Sequence, residues 1–125
     1  MDKLTMTIIE TRQNHTAARQ VLATAKESLE LVEAEIFMGC DYKSLGSNEA
    51  ERKVRFDSLK RADPRWRFAA RALAAAEMQR DATADTLAAA EDCRRAFENA
   101  LKAAYLEKQF GFTVNPDSFD LFNLA

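Results

Sequence analysis

Leu4, Ile8, Thr11, His15, Ala18, Leu22, Ala25, Leu29, Val32 and Ile36 follow one another at intervals of four and three without a slip. Residues repeating every 3.5 positions line one narrow side of an α-helix, as in the seam of a coiled coil. The spacing predicts a helix from about Lys3 to Met38 and puts the only histidine in its seam. Gly39 is the expected stop, on the reasoning that glycine supplies the left-handed residue past a helix end. Asp41 to Ser47 reads as a loop. Asn48 can cap a short helix reaching Ala62, with Glu51 three residues on as in a capping box. Asp63-Pro64 is a second start signal, Asp at the cap and Pro at the first helical position. No breaker follows until Gly111, which predicts a helix of about 46 residues, roughly 70 Å at helical rise.

That helix carries a repeat. Leu73-Ala74-Ala75-Ala76-Glu77 returns as Leu87-Ala88-Ala89-Ala90-Glu91, and Leu101-Lys102-Ala103-Ala104 echoes both. Two heptads separate the copies, so Leu73, Leu87 and Leu101 are expected on one face, with Arg80, Arg94 and Lys108 between them. Ala69, Ala76, Thr83, Ala90 and Ala104 would line the adjacent stripe. Small residues let helix axes approach, and long basic side chains can lay their stems along a seam.

The expected fold is all-α and a single helical domain: a long antiparallel hairpin with a short intervening helix (39–63) and an aromatic tail (111–125). A hairpin buries one face of each helix, so a homodimer forming a four-helix bundle is expected.

Composition narrows the classes. Only three Gly and two Pro argue against a β-rich fold and leave no phosphate-cradling loop. The formal charge is −2, with charged residues at 30%, so the chain is neither a polycation nor a polyanion. Cys40 and Cys93 form no framework and no zinc quartet, which suits free thiols in a reducing cytoplasm. No stretch reaches the length of a membrane span, and the N-terminus has no apolar signal core. A soluble, cytoplasmic protein is expected.

The residues that carry catalysis are not grouped in the sequence. His15 has Thr11, Arg12, Ala18 and Arg19 one turn away on its face, with no nucleophile, carboxylate or thiol among them. Thr11 and His15 read as a polar layer that sets register. Glu27, Glu30, Glu33 and Glu35 lack the Glu-x-x-His of a di-metal bundle and read as a solvated face. The expectation is therefore no enzyme, no cofactor and no metal.

Between Glu49 and Ala69 the balance changes. Arg52, Lys53, Arg55, Lys60, Arg61, Arg65 and Arg67 outnumber four carboxylates, with Phe56, Trp66 and Phe68 interleaved. Cations plus exposed rings are what a single strand of nucleic acid needs, for phosphate neutralisation and base stacking. Arg52, Lys53, Arg55, Lys60, Arg61, Arg65, Trp66 and Arg67 are the candidate nucleic-acid contacts. In the competing reading Phe56, Leu59, Trp66 and Phe68 form the core at the hairpin turn while the cations face water.

Gly46, Asn48, Glu51, Arg52 and Lys53, followed by Asp63-Pro64 and an Ala/Glu/Arg helix, resemble a group of small phage and prophage helical proteins of unassigned function. The resemblance covers about positions 44 to 95. It implies a phage origin and a setting in DNA replication or recombination, and it transfers no catalytic residue.

The segment from Phe110 to Ala125 holds half of the eight phenylalanines. Ser118-Phe119-Asp120-Leu121-Phe122 is similar to the pentapeptide by which many bacterial proteins bind the polymerase sliding clamp, typically Gln-Leu-Ser/Asp-Leu-Phe. Asp120, Leu121 and Phe122 match its last three positions, while Ser118 and Phe119 stand in for Gln and Leu. Phe119 to Phe122 are the candidate partner contact, with such a clamp, with another host protein or with the protein's own bundle. Two functions follow as expectations: a non-enzymatic DNA-metabolism accessory that touches nucleic acid at the basic turn, or a scaffold or inhibitor that engages a host protein.

Overall fold

The computed structural model describes residues 2–111, 113 and 115–117. Among them the regular elements are α1 (Lys3–Met38), a 3-10 turn (Tyr42–Leu45), α2 (Glu49–Ala62) and α3 (Pro64–Phe110). The helix limits expected from the caps and breakers are met at each end. The chain divides into two compact units, one of Met1–Asn14 with Thr83–Ala125 and one of His15–Ala82. In each, a stretch of α1 packs against a stretch of α3 in the manner of a helical hairpin.

The caps follow from local chemistry. The Thr5 N–H donates to Asp2 Oδ1 at 2.7 Å and satisfies one of the first-turn donors of α1. Asn48 Oδ1 accepts from the Glu51 N–H at 2.9 Å. Asp63 Oδ1 accepts from the Arg65 N–H at 2.8 Å, just past Pro64. At the other ends the two glycines behave differently. Gly111 takes the left-handed conformation, φ 71°, and its N–H reaches the Glu107 carbonyl at 2.8 Å. Gly39 does not, which corrects the expectation for the end of α1. There the last turn tightens instead: the Gly39 N–H is shared between the Glu35 and Ile36 carbonyls, and Cys40 bonds to Phe37.

All ten seam positions of α1 are withdrawn from solvent, with Ile8, Ala18, Leu22 and Ile36 buried and His15 half-buried. In the His15–Ala82 unit the matching stripe of α3 is Trp66, Ala69, Leu73, Ala76 and Arg80. Glu33 bonds Trp66 and Glu35 bonds Arg65, so the two helices run antiparallel.

In the other unit the repeat does not hold to its end. Thr83, Leu87, Ala90 and Arg94 are half-buried, as the 14-residue spacing requires. Beyond them the inward positions are Asn99, Ala103 and Leu106, while Leu101 is 56% exposed and Ala104 and Lys108 face solvent. The physical reason is pitch. A straight α-helix drifts about 20° per heptad against a 3.5-residue repeat, and over this length the inward stripe steps onto a neighbouring row. The step exposes Phe97, Leu101 and Tyr105 and buries Asn99.

Candidate interaction surface

The basic turn is built around the entry to α2. Glu51 reaches back to accept from the Ser47 N–H at 3.2 Å and the Ser47 hydroxyl at 3.0 Å. These bonds hold its carboxyl below the usual range, helped by Arg55 at 2.7 Å. Arg52 Nε donates to the Gly46 carbonyl at 3.0 Å. A Cβ on Gly46 would lie 2.8 Å from Glu51 Cγ, so glycine is what lets the chain pass this side chain. Four of the residues that carry the phage-protein resemblance, Gly46, Asn48, Glu51 and Arg52, thus lock one helix start.

The candidate nucleic-acid residues divide sharply. Arg52 and Arg55 pair with Glu49 and Glu51, Arg61 with Asp57, and Arg65 with Asp63 and Glu35. Lys60 is the most enclosed, its side chain 17% exposed, between Glu33 at 3.5 Å and Asp57 at 3.6 Å. Its ammonium lies over the Phe56 and Trp66 rings, 5.5 and 5.9 Å from their centroids. The Trp66 indole N–H donates to Glu33 Oε1 at 3.0 Å. Lys53 and Arg67 are exposed and have no ion pair among the described residues. With Glu33 and Glu35 brought in by α1, the cluster holds seven cations against six carboxylates. The excess of positive charge seen in the sequence is largely cancelled by this packing.

The aromatic residues divide too. Phe37, Tyr42 and Phe56 form a ring cluster with centroids 5.3 to 6.0 Å apart, and Trp66 is half-buried beside Lys60. Leu59 is 40% and Phe68 78% exposed, so neither belongs to the turn core in which the sequence reading grouped them. The candidate partner contact Phe119, Asp120, Leu121 and Phe122 lies outside the described residues.

Phe68 stands at a surface the sequence reading passed over. An open groove of about 940 Å³ runs between α1 and α3 in the His15–Ala82 unit. Ala17, Val21, Thr24, Ser28 and Val32 line one wall, and Pro64, Arg65, Phe68, Ala69 and Ala72 the other. A signal for it was present. The row of α1 just before the seam reads Asn14, Ala17, Val21, Thr24, Ser28 and Leu31, without a charge between Glu10 and Glu35. The row just after the seam reads Arg12, Thr16, Arg19, Ala23, Lys26, Glu30 and Glu33. Both rows beside a solvated coiled-coil seam are commonly charged; here only one is.

No helix among the described residues is long and apolar enough to cross a membrane. No family model matches the chain, and neither does any curated protein or solved structure.

Proposed function

We propose that this chain is a non-enzymatic helical scaffold that acts by associating with helices of a second chain. The observation that carries the reading is the largely apolar groove beside the seam, with Val21 59% and Phe68 78% exposed in it and Arg65, paired with Asp63 and Glu35, at one end of its lining. Exposed apolar side chains on a largely uncharged helix face are stabilised by burial against another helix. Self-association into a four-helix bundle is the simplest such assembly. The resemblance around Gly46 to Lys53 supports a phage-derived accessory of DNA replication or recombination as its setting.

A second reading, contact with single-stranded nucleic acid at the basic turn, is favoured by Lys53 and Arg67, which keep their charge uncommitted. Titration of an oligonucleotide into the protein at about 50 mM salt, where phosphate contacts are strongest, separates the two. The scaffold reading expects no saturable binding by fluorescence anisotropy. Binding with a steep salt dependence, lost on Lys53→Ala with Arg67→Ala, would make the nucleic-acid reading the primary one.

A further inference from the structure

We infer that the occupant of the groove is a second copy of this chain, docked antiparallel about a two-fold axis at the level of Thr24 and Ala25. The inference rests on the scaffold reading and names its partner.

The surface is compatible with itself in charge. On α1 the row from Asn14 to Leu31 is uncharged, and on α3 the corresponding row reads Arg65, Phe68, Ala72, Ala75, Gln79 and Ala82, its one charge, Arg65, being paired with Asp63 and Glu35. In an antiparallel hairpin these two rows lie on the same side, as the groove lining shows by drawing on both. The opposite side carries Arg19, Lys26, Glu30, Arg67, Arg71 and Glu77. Two copies meeting through their charged sides would have to match mixed charges, whereas the neutral sides bring no like charges together.

Its shape is complementary to itself only when one copy is reversed. The Glu33–Trp66 and Glu35–Arg65 contacts set the register, so α1 and α3 numbers at one level sum to about 100. The neutral stretch of α1, residues 17–32, and that of α3, residues 68–82, are therefore centred at one level. One end is bulky, with Val32 and the exposed Phe68 ring; the other is small, with Ala17 and Ala82. A two-fold axis through the middle lays each Phe68 on the small end of its partner, in the isologous way that residue i meets j while j meets i.

Its size suffices. Sixteen residues span about 24 Å of helix, and two helices at packing distance are about 20 Å wide. The face covers about 500 Å² per copy and about 1,000 Å² in total, the lower bound for a specific interface.

The test uses the full chain. Sedimentation equilibrium at about 100 μM should show a dimer. Val21→Lys and Phe68→Glu, both at exposed positions outside the seam, should each weaken it at least 100-fold while circular dichroism keeps the helical signal. With Cys40 and Cys93 replaced by Ser, Thr24→Cys should cross-link to its own copy on oxidation. Ala17→Cys should not, because reversal puts its two copies about 22 Å apart. A monomer at this concentration, or a dimer indifferent to both charge substitutions, would overturn the inference. So would cross-linking through Ala17→Cys, which reports parallel copies. None of these results depends on the oligonucleotide titration, so the scaffold reading and its assigned partner fail separately.

Discussion

The Trp66 indole N–H donates to Glu33 Oε1 at 3.0 Å, joining the first turn of α3 to the last turns of α1. The same carboxylate takes the Lys60 ammonium at 3.5 Å, so one side chain of α1 holds both α2 and α3. Charge-assisted bonds in partly enclosed positions contribute about 1.5–3 kcal/mol. Glu33→Ala should therefore destabilise the protein by about 2 kcal/mol. Trp66 is the single tryptophan, so urea unfolding followed by its fluorescence reads the loss directly. Glu33→Gln, which can still accept from the indole, should recover part of it. Equal stability of Glu33→Ala and the parent would show that the bond is incidental.

The α1 seam gives a graded expectation. Leu22 is 5% exposed, and Leu22→Asp puts an unpaired charge into that layer at a cost of several kcal/mol, enough to unfold a marginally stable domain. Val21→Asp, one position away and exposed, should leave the monomer's helicity intact. His15→Leu should keep the fold and raise its melting temperature, since a half-buried polar position in a seam gives up stability for register. Thermal melts by circular dichroism rank the three, and a Val21 variant as damaged as the Leu22 variant would place the seam elsewhere.

Acid should loosen the starts of α2 and α3. The Ser47 backbone and hydroxyl bonds lower the Glu51 pKa, and the Arg65 side-chain and backbone bonds lower that of Asp63. A carboxyl whose folded pKa is depressed contributes stability that is fully present above its unfolded value. That contribution is lost as pH falls through the folded value. Stability should thus be flat above about pH 5 and fall below about pH 4, where free carboxyls titrate. Glu51→Gln should remove part of the slope. Gly46→Ala should act on the same site at neutral pH, because its Cβ would lie 2.8 Å from Glu51 Cγ and 2.9 Å from Cβ. Displacing that side chain opens its bonds to Ser47, so the variant should melt below the parent at neutral pH. A pH-independent difference between parent and Glu51→Gln would show that the cap bonds carry no linkage.

The helices were legible because their signals are local. The 3.5-residue spacing from Leu4 to Ile36, Asn48 with Glu51, Asp63-Pro64 and Gly111 each act within a few residues of themselves. The surface was harder to read because it depends on what packing brings together. Arg52 to Arg67 form a basic run on paper, yet Glu33 and Glu35 come to it from a helix that ends before the run begins. Phe68 sits two residues from Trp66 and points to a different environment, a distinction of helical phase that composition does not carry. The groove was in principle visible as a missing charge pattern, Asn14 to Leu31 against Arg12 to Glu33. It escapes a reading that looks for residues with chemistry, because its signal is their absence.

The step in the α3 seam is the most direct test of how far the repeat governs packing. By sequence Leu87 and Leu101 are equivalent members of one 14-residue series. In the structure Leu87 is half-buried and Leu101 is 56% exposed. Leu87→Ala should then cost about 2 kcal/mol, the low end for a buried leucine, and Leu101→Ala within about 0.5 kcal/mol, as for surface positions. Asn99 should behave as a core residue, being 3% exposed although polar, with no buried side-chain polar atom lacking a partner among the described residues. Asn99→Asp would bury a charge in that layer and should be the most damaging of the three, by about 3 kcal/mol or more. Denaturant unfolding of the three variants decides the matter. If Leu101→Ala were as costly as Leu87→Ala while Asn99→Asp were silent, the heptad would run straight through α3 and the step between Arg94 and Asn99 would not exist.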